Sequence, residues 1–366
     1  MTINRDVANI ASRPNITRRD HVYPLITNGD MRIAQRGTSS TGVGANNQYE
    51  TVDMFRHNFV AANSGRLTSS QSTDVPTGSG FKHSLKLDCT TADTSIGASE
   101  WGQIYQGIEG QDLALVNKGT ADCSTFTVVF WAKGTAKTYI CELYDAPNNR
   151  RVAKTFTVST SWTKHVINFP ADTSTDDDFT YTNAAGLNVQ FQIHAGTNYT
   201  SGTLNSSSWA SATTANRVSS SNTSFFDSTD RTFFLTGLQL ETSSIVTPFE
   251  HRSIAEELPL CQRYFIKTNP EDQTRMSGFT GCMYTTTQAV LDFVFPVEMR
   301  AAPTVSIGGS NNNYWIAGVN GSASGTIAAS QYKKNMAWIE LSSVSTCPSN
   351  GYQITYNGQV DLNAEF

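Results

Sequence analysis

The chain has 366 residues, of which 16% are charged, well below the roughly 25% of ordinary soluble domains. Its 38% apolar content is enough for a packed core, which excludes general disorder. A net charge of −5 and a pI near 5.7 argue against a nucleic-acid binder, which would carry a basic stripe.

Residues 1–22 read as an N-terminal arm. Arg5, Arg13, Arg18 and Arg19 outnumber Asp6 and Asp20 there, a balance suited to docking on an acidic partner. The arm lacks the apolar run of a signal peptide, and no stretch of the chain approaches the length of a membrane span.

Residues 23–246 carry the pattern of a β-module. At 23–33 a strand, an Asn28-Gly29-Asp30 turn and a second strand are expected. Short strands are expected at 52–59 and 84–89. Apolar, β-branched runs follow at 126–132, 138–144, 152–158 and 165–169. Between 103 and 117 the reading is a strand to Ile108, a glycine turn and another strand.

Residues 187–194 alternate strictly. Leu187, Val189, Phe191 and Ile193 share one face and the amides share the other. By that parity His194 faces outward. Residues 200–224 are rich in Ser and Thr without periodicity, a long surface loop around Trp209. The strand at 233–241 closes the set. About nine strands with almost no helix indicate an all-β fold, an N-terminal jelly-roll β-sandwich.

Residues 247–259 form a strap and a short helical connector. Ser253 and Glu256 fit a capping box, and Pro259 is expected to stop the helix near Leu258. From 260 to 366 the strand pattern starts afresh, as a second and smaller C-terminal β-sandwich.

No motif for chemistry stands out. HExxH, the P-loop and the Gly-x-Ser-x-Gly elbow are absent. The six cysteines form no Cys-x-x-Cys pair and are expected as free thiols, in line with assembly in a reducing cytoplasm. The acidic run Asp176-Asp177-Asp178 reads as a solvated loop. The chain is therefore expected not to be an enzyme. Uncharged amides and hydroxyls suit sugar contact, and aromatics beside polar loops are natural stacking platforms. Trp101, Tyr105 and Trp209 are candidates, as are Tyr314 and Trp315 behind Asn311-Asn312-Asn313.

The order GLQLE (237–241), TPFEHRS (247–253) and EEL-x-LCQRYF (256–265) resembles a recurring seam of phage tail-fibre and other virion structural proteins. NGDMRIAQRGT at 28–38 is similar to the opening of the module that precedes this seam. The stretch 295–305 and the closing DLNAEF resemble C-terminal fibre domains. The resemblance implies a virion protein, commonly a homotrimer, that docks on other virion proteins through its arm and attaches to host surface polysaccharide. Two other roles fit the same modules: a capsid-decorating or head-fibre protein, and a polysaccharide-degrading virion enzyme. The pairing of an NGD start with a GLQLE end also resembles jelly-roll carbohydrate-binding modules. These often hold a structural Ca²⁺ near the first and last strands, where this sequence offers Asp30 and Glu241.

Overall fold

The structure is a computed structural model. It describes residues 24–60, 64–174, 178–220, 224–268, 279–283, 285, 287–308, 314–316, 326–342, 353–356 and 359–366. The arm, with Arg5, Arg13, Arg18 and Arg19, lies outside these residues, as does most of the acidic run at 176–178.

The strands of the first module are, in order, β1 (Ser39–Val43), β2 (Asn47–Tyr49), β3 (Arg56–Val60), β4 (Arg66–Ser72), β5 (Ser84–Thr91), β6 (Trp101–Glu109) and β7 (Phe126–Gly134). They continue with β8 (Lys137–Asp145), β9 (Arg150–Val158), β10 (Thr163–Phe169), β11 (Ala185–Ala195), β12 (Ala210–Ser211) and β13 (Thr232–Glu241). Two antiparallel sheets result. One has the order β1-β4-β5-β13-β7-β10 and the other β12-β9-β8-β11-β6-β3-β2. Their inward residues pack as one core. Phe130 meets Phe156 and Phe191 edge-to-face at 5.0 Å in both cases, a geometry the ring quadrupoles favour.

The second module comprises β14 (Phe265–Thr268), β15 (Phe279–Met283), β16 (Gln288–Val294), β17 (Thr304–Gly308) and β18 (Tyr314–Ile316). β19 (Thr326–Tyr332), β20 (Met336–Ser342), β21 (Gln353–Tyr356) and β22 (Gln359–Asn363) complete it. Its sheets run β14-β22-β17 and β18-β21-β15-β16-β20-β19. Its own core includes Ile266, Leu291, Met299 and Leu362. The chain is thus all-β, two sandwiches in series.

Three local expectations change. Residues 24–38 form turns and bends rather than paired strands. Asn28 takes a left-handed φ of 58°, and its buried amide donates to the carbonyls of Ile33 and Asp53. The side chain does here what a ladder would otherwise do. Gly29 then lies against the GLQLE strand, where Leu238 N–H donates to its carbonyl at 2.9 Å. After β6 the chain enters a 3₁₀ helix, Gly110–Val116, instead of a second strand. Leu113 and Val116, three apart, both reach the core, which is the 3₁₀ period.

Pro259 does not stop the connector. The short α1 (Thr197–Thr200) precedes it in the chain, and the connector itself is α2 (Ile254–Gln262), with Pro259 inside. Ser253 N–H donates to Glu256 at 2.8 Å to open the helix. Past the proline, Arg263 N–H still reaches the Pro259 carbonyl at 3.0 Å. Cys261 and Tyr264 bury in the first core. That tertiary anchoring outweighs the one hydrogen bond the proline lacks.

In β13 the register against β7 shifts between Thr236 and Gln239. Gly237 sits in this bulge with φ +61°, and a Cβ there would meet the Phe81 ring at 2.5 Å. Gly237→Ala is expected to cost about 1–3 kcal/mol through strain and clash. A urea midpoint equal to wild type would show that the bulge relaxes freely.

Candidate functional site

The outer face of the seven-stranded sheet is polar across four strands. Cross-strand register places Arg56, Tyr105, Gln190 and Glu142 in one row. Asn58, Gln103 and Gln192 form the next row. Alternation along β11 produces this: Leu187, Val189 and Phe191 turn into the core, so Asn188, Gln190 and Gln192 turn away from it.

This face is not bare. The Ser/Thr-rich segment after β11 folds back over it, and Gln192 and Glu142 are 0% exposed. The Trp101 indole N–H donates to Gln192 at 2.6 Å, and the Gln192 amide donates to Gln103 at 2.8 Å. The Arg217 guanidinium lies 3.6 Å above the Trp101 ring and donates to Gln190 at 3.2 Å. Tyr199 also stacks on Trp101, with ring centroids 6.0 Å apart. Glu142 forms ion pairs with Arg151 at 3.5 Å and Arg217 at 3.8 Å. Burial pulls the Arg217 pKa down to about 10, with the Glu142 charge opposing that pull. Among the described residues, Glu142 Oε2, Asn188 Oδ1 and Arg217 Nε make no hydrogen bond although they are buried.

At its β2 edge the face opens. A cleft of about 360 Å³ is lined by Arg36, Gln48, Tyr49, Arg56, Glu365 and Phe366, among others. Arg36 and Arg56 both lie over the Tyr49 ring, at 5.3 and 5.6 Å. Arg56 also donates to the Tyr105 hydroxyl at 3.1 Å, which joins the cleft to the covered rows. Burial pushes Glu365 up to about 8, against the pull of Arg36.

No protein-family model matches the chain, and no curated protein matches it. Among solved structures, the enzymatically active domain of bacteriophage CBA120 tailspike protein 4 overlaps it at 12% identity and a TM-score of 0.30. That overlap covers 60% of this chain and 21% of the tailspike chain. A CBM4 structure overlaps at 12% identity and a TM-score of 0.30, covering 59% of this chain and 98% of its own. The family 11 carbohydrate-binding module of cellulase Lic26A-Cel5E from Clostridium thermocellum gives 9% and 0.27, covering 57% and 95%. All three likenesses are weak.

The sequence candidates scatter. Trp101 and Tyr105 do share the polar face, but both are buried rather than exposed. The polar sequence around Trp101 reads as solvent-facing, whereas Tyr199 and Arg217 of the folded-back segment cover its ring, and Arg56 covers Tyr105. Trp209 is also buried. Its indole N–H donates to the Pro170 carbonyl at 2.8 Å, and its ring packs on Phe126 at 6.3 Å. It therefore pins the loop instead of presenting a platform. Tyr314 and Trp315 lie in β18 and pair with β21; their side chains fall outside the described residues.

Asp30 is engaged by Arg32 at 2.6 Å, and Glu241 by the Thr247 hydroxyl at 2.6 Å. Neither belongs to a cluster of three metal-ligating side chains among the described residues. His194 faces inward, not outward. A bulge between Gln192 and His194 inverts the parity, and the ring packs on Phe226 at 5.3 Å. Sequence reading missed Gln48, Tyr49, Arg56 and Arg217. Arg217 did leave a signal, as the single charge in residues 200–224.

Proposed function

We propose that this chain is a virion adhesin of the tail-fibre type that binds a surface glycan without cleaving it. The observation carrying the reading is the open cleft at β2, where the amides of Asn47 and Gln48 meet the guanidinium groups of Arg36 and Arg56. Planar amides and guanidinium groups match the paired hydroxyls of a sugar. The sequence resemblance to fibre proteins supports placement on the virion, a homotrimeric assembly and docking through the basic arm. A shallow cleft binds weakly, and three copies on one fibre would multiply the avidity.

Asn47 and Gln48 are exposed on the rim of this cleft. The full chain applied to an array of bacterial surface polysaccharides is expected to retain a subset of them. The double variant Asn47→Ala, Gln48→Ala should lose roughly tenfold in affinity with an unchanged melting temperature. No retention of any polysaccharide, or release of reducing ends from one, would overturn the reading.

A further inference from the structure

One cluster of ionisable groups is used neither by the polar face nor by the cleft. Asp93 follows β5, Glu100 precedes β6 and His194 lies near the end of β11. Their ligand atoms all lie within 4.8 Å of one another, and all three residues are buried. His194 Nε2 stands 3.2 Å from Glu100 Oε2. That is about the spacing of two donors on one tetrahedral ion with bonds of roughly 2.0–2.2 Å.

The other ring nitrogen is already held. His194 Nδ1 lies 2.6 Å from the Ser224 hydroxyl, whose oxygen also accepts the Phe226 N–H at 2.9 Å. Fixing Nδ1 in this way orients the ring and leaves Nε2 to face the two carboxyl groups, the usual outer support of a metal-bound histidine. Asp93 is steadied in turn by the N–H groups of Ser95, at 3.0 Å, and Ser64, at 3.3 Å.

The charge balance points the same way. Among the described residues, no Lys or Arg forms an ion pair with Asp93 or Glu100. Two carboxyl groups this close, with no Lys or Arg against them, are costly to ionise together unless a cation or a shared proton offsets the charge. One imidazole nitrogen with two carboxylate oxygens suits a first-row divalent ion. The nitrogen disfavours Ca²⁺ and Mg²⁺, which take oxygen donors.

We propose that Asp93, Glu100 and His194 bind one divalent transition-metal ion of the zinc class. The ion ties together three segments remote in sequence at one end of the first sandwich. Its role is to clamp the fold, since it stands apart from the polar face and the cleft.

The test uses the full, tag-free chain stripped with a chelator and titrated with Zn²⁺ by calorimetry. One ion per chain and a melting temperature that rises with Zn²⁺ are expected. Substituting Co²⁺ should give visible absorption bands from mixed nitrogen and oxygen coordination. Glu100→Gln keeps the volume and a hydrogen bond to His194, and should weaken Zn²⁺ about a hundredfold. Ser224→Ala should weaken it roughly 10- to 100-fold. Asp93→Asn serves in place of Glu100→Gln if that variant fails to fold. Wild-type binding no tighter than about 1 mM, or binding unchanged in Glu100→Gln or its replacement, would overturn the proposal.

Discussion

Acidification from pH 6.5 to 4 is expected to cost the first sandwich about 3 kcal/mol through His57 alone. His57 sits in β3 with 0% exposure. Burial drives its pKa from 6.5 down to about 4, against weaker upward pushes from the Glu50 charge and the Phe55 backbone. The sign follows from which state takes the proton. Above pH 6.5 both folded and unfolded chains hold a neutral ring, so pH has no effect. Between 6.5 and 4 the unfolded chain binds a proton that the folded chain refuses, and stability falls steadily. Below 4 both are protonated and the loss levels off. A shift of this size corresponds to about 3 kcal/mol, a large part of the roughly 5–15 kcal/mol that holds a domain together. Urea midpoints measured across this range should fall in wild type and fall less in His57→Leu. Parallel curves for the two proteins would mean that His57 is not the group responsible.

Arg263→Ala is expected to cost about 3 kcal/mol. The Arg263 guanidinium grips the fully buried Glu109 carboxylate with two bonds of 2.7 Å, and the Tyr264 hydroxyl adds a third at 2.8 Å. Bidentate pairs of this kind are the strong ones. Removing the arginine leaves a buried carboxylate short of a countercharge, typically a loss of 3–5 kcal/mol. The lower end applies because the Arg263 side chain is 28% exposed. Arg263→Lys keeps the charge but loses the fork, so its midpoint should fall between those of the alanine variant and wild type. An alanine variant as stable as wild type would show that the grip contributes nothing.

Most of the architecture was legible because burial leaves a period in the sequence. The alternation in 187–193 marks both faces of β11, and the apolar run 126–132 marks a strand deep in the sandwich. What could not be read depends on contacts between distant segments. One inserted residue in β11 turned His194 inward, and no local pattern announces a bulge. The polar 197–219 segment reads as solvated until its underside meets an equally polar sheet. Pro259 was overruled by Cys261 and Tyr264, whose burial is decided by the other module. Of the candidate site, the amides of β11 were visible in advance. The cleft was not, because β2 and the residues around Glu365 that form it are more than 300 positions apart.

The Arg263 grip belongs to a wider seam. Arg300 donates to the carbonyls of Asn183, Ala364 and Glu365. Gln35 donates to the Phe265 carbonyl, and Arg36 pairs with Glu365. These contacts come from both modules and from both sides of the connector. The seam therefore joins the modules through main-chain carbonyls as well as side chains, which a change of side chain on one partner leaves in place.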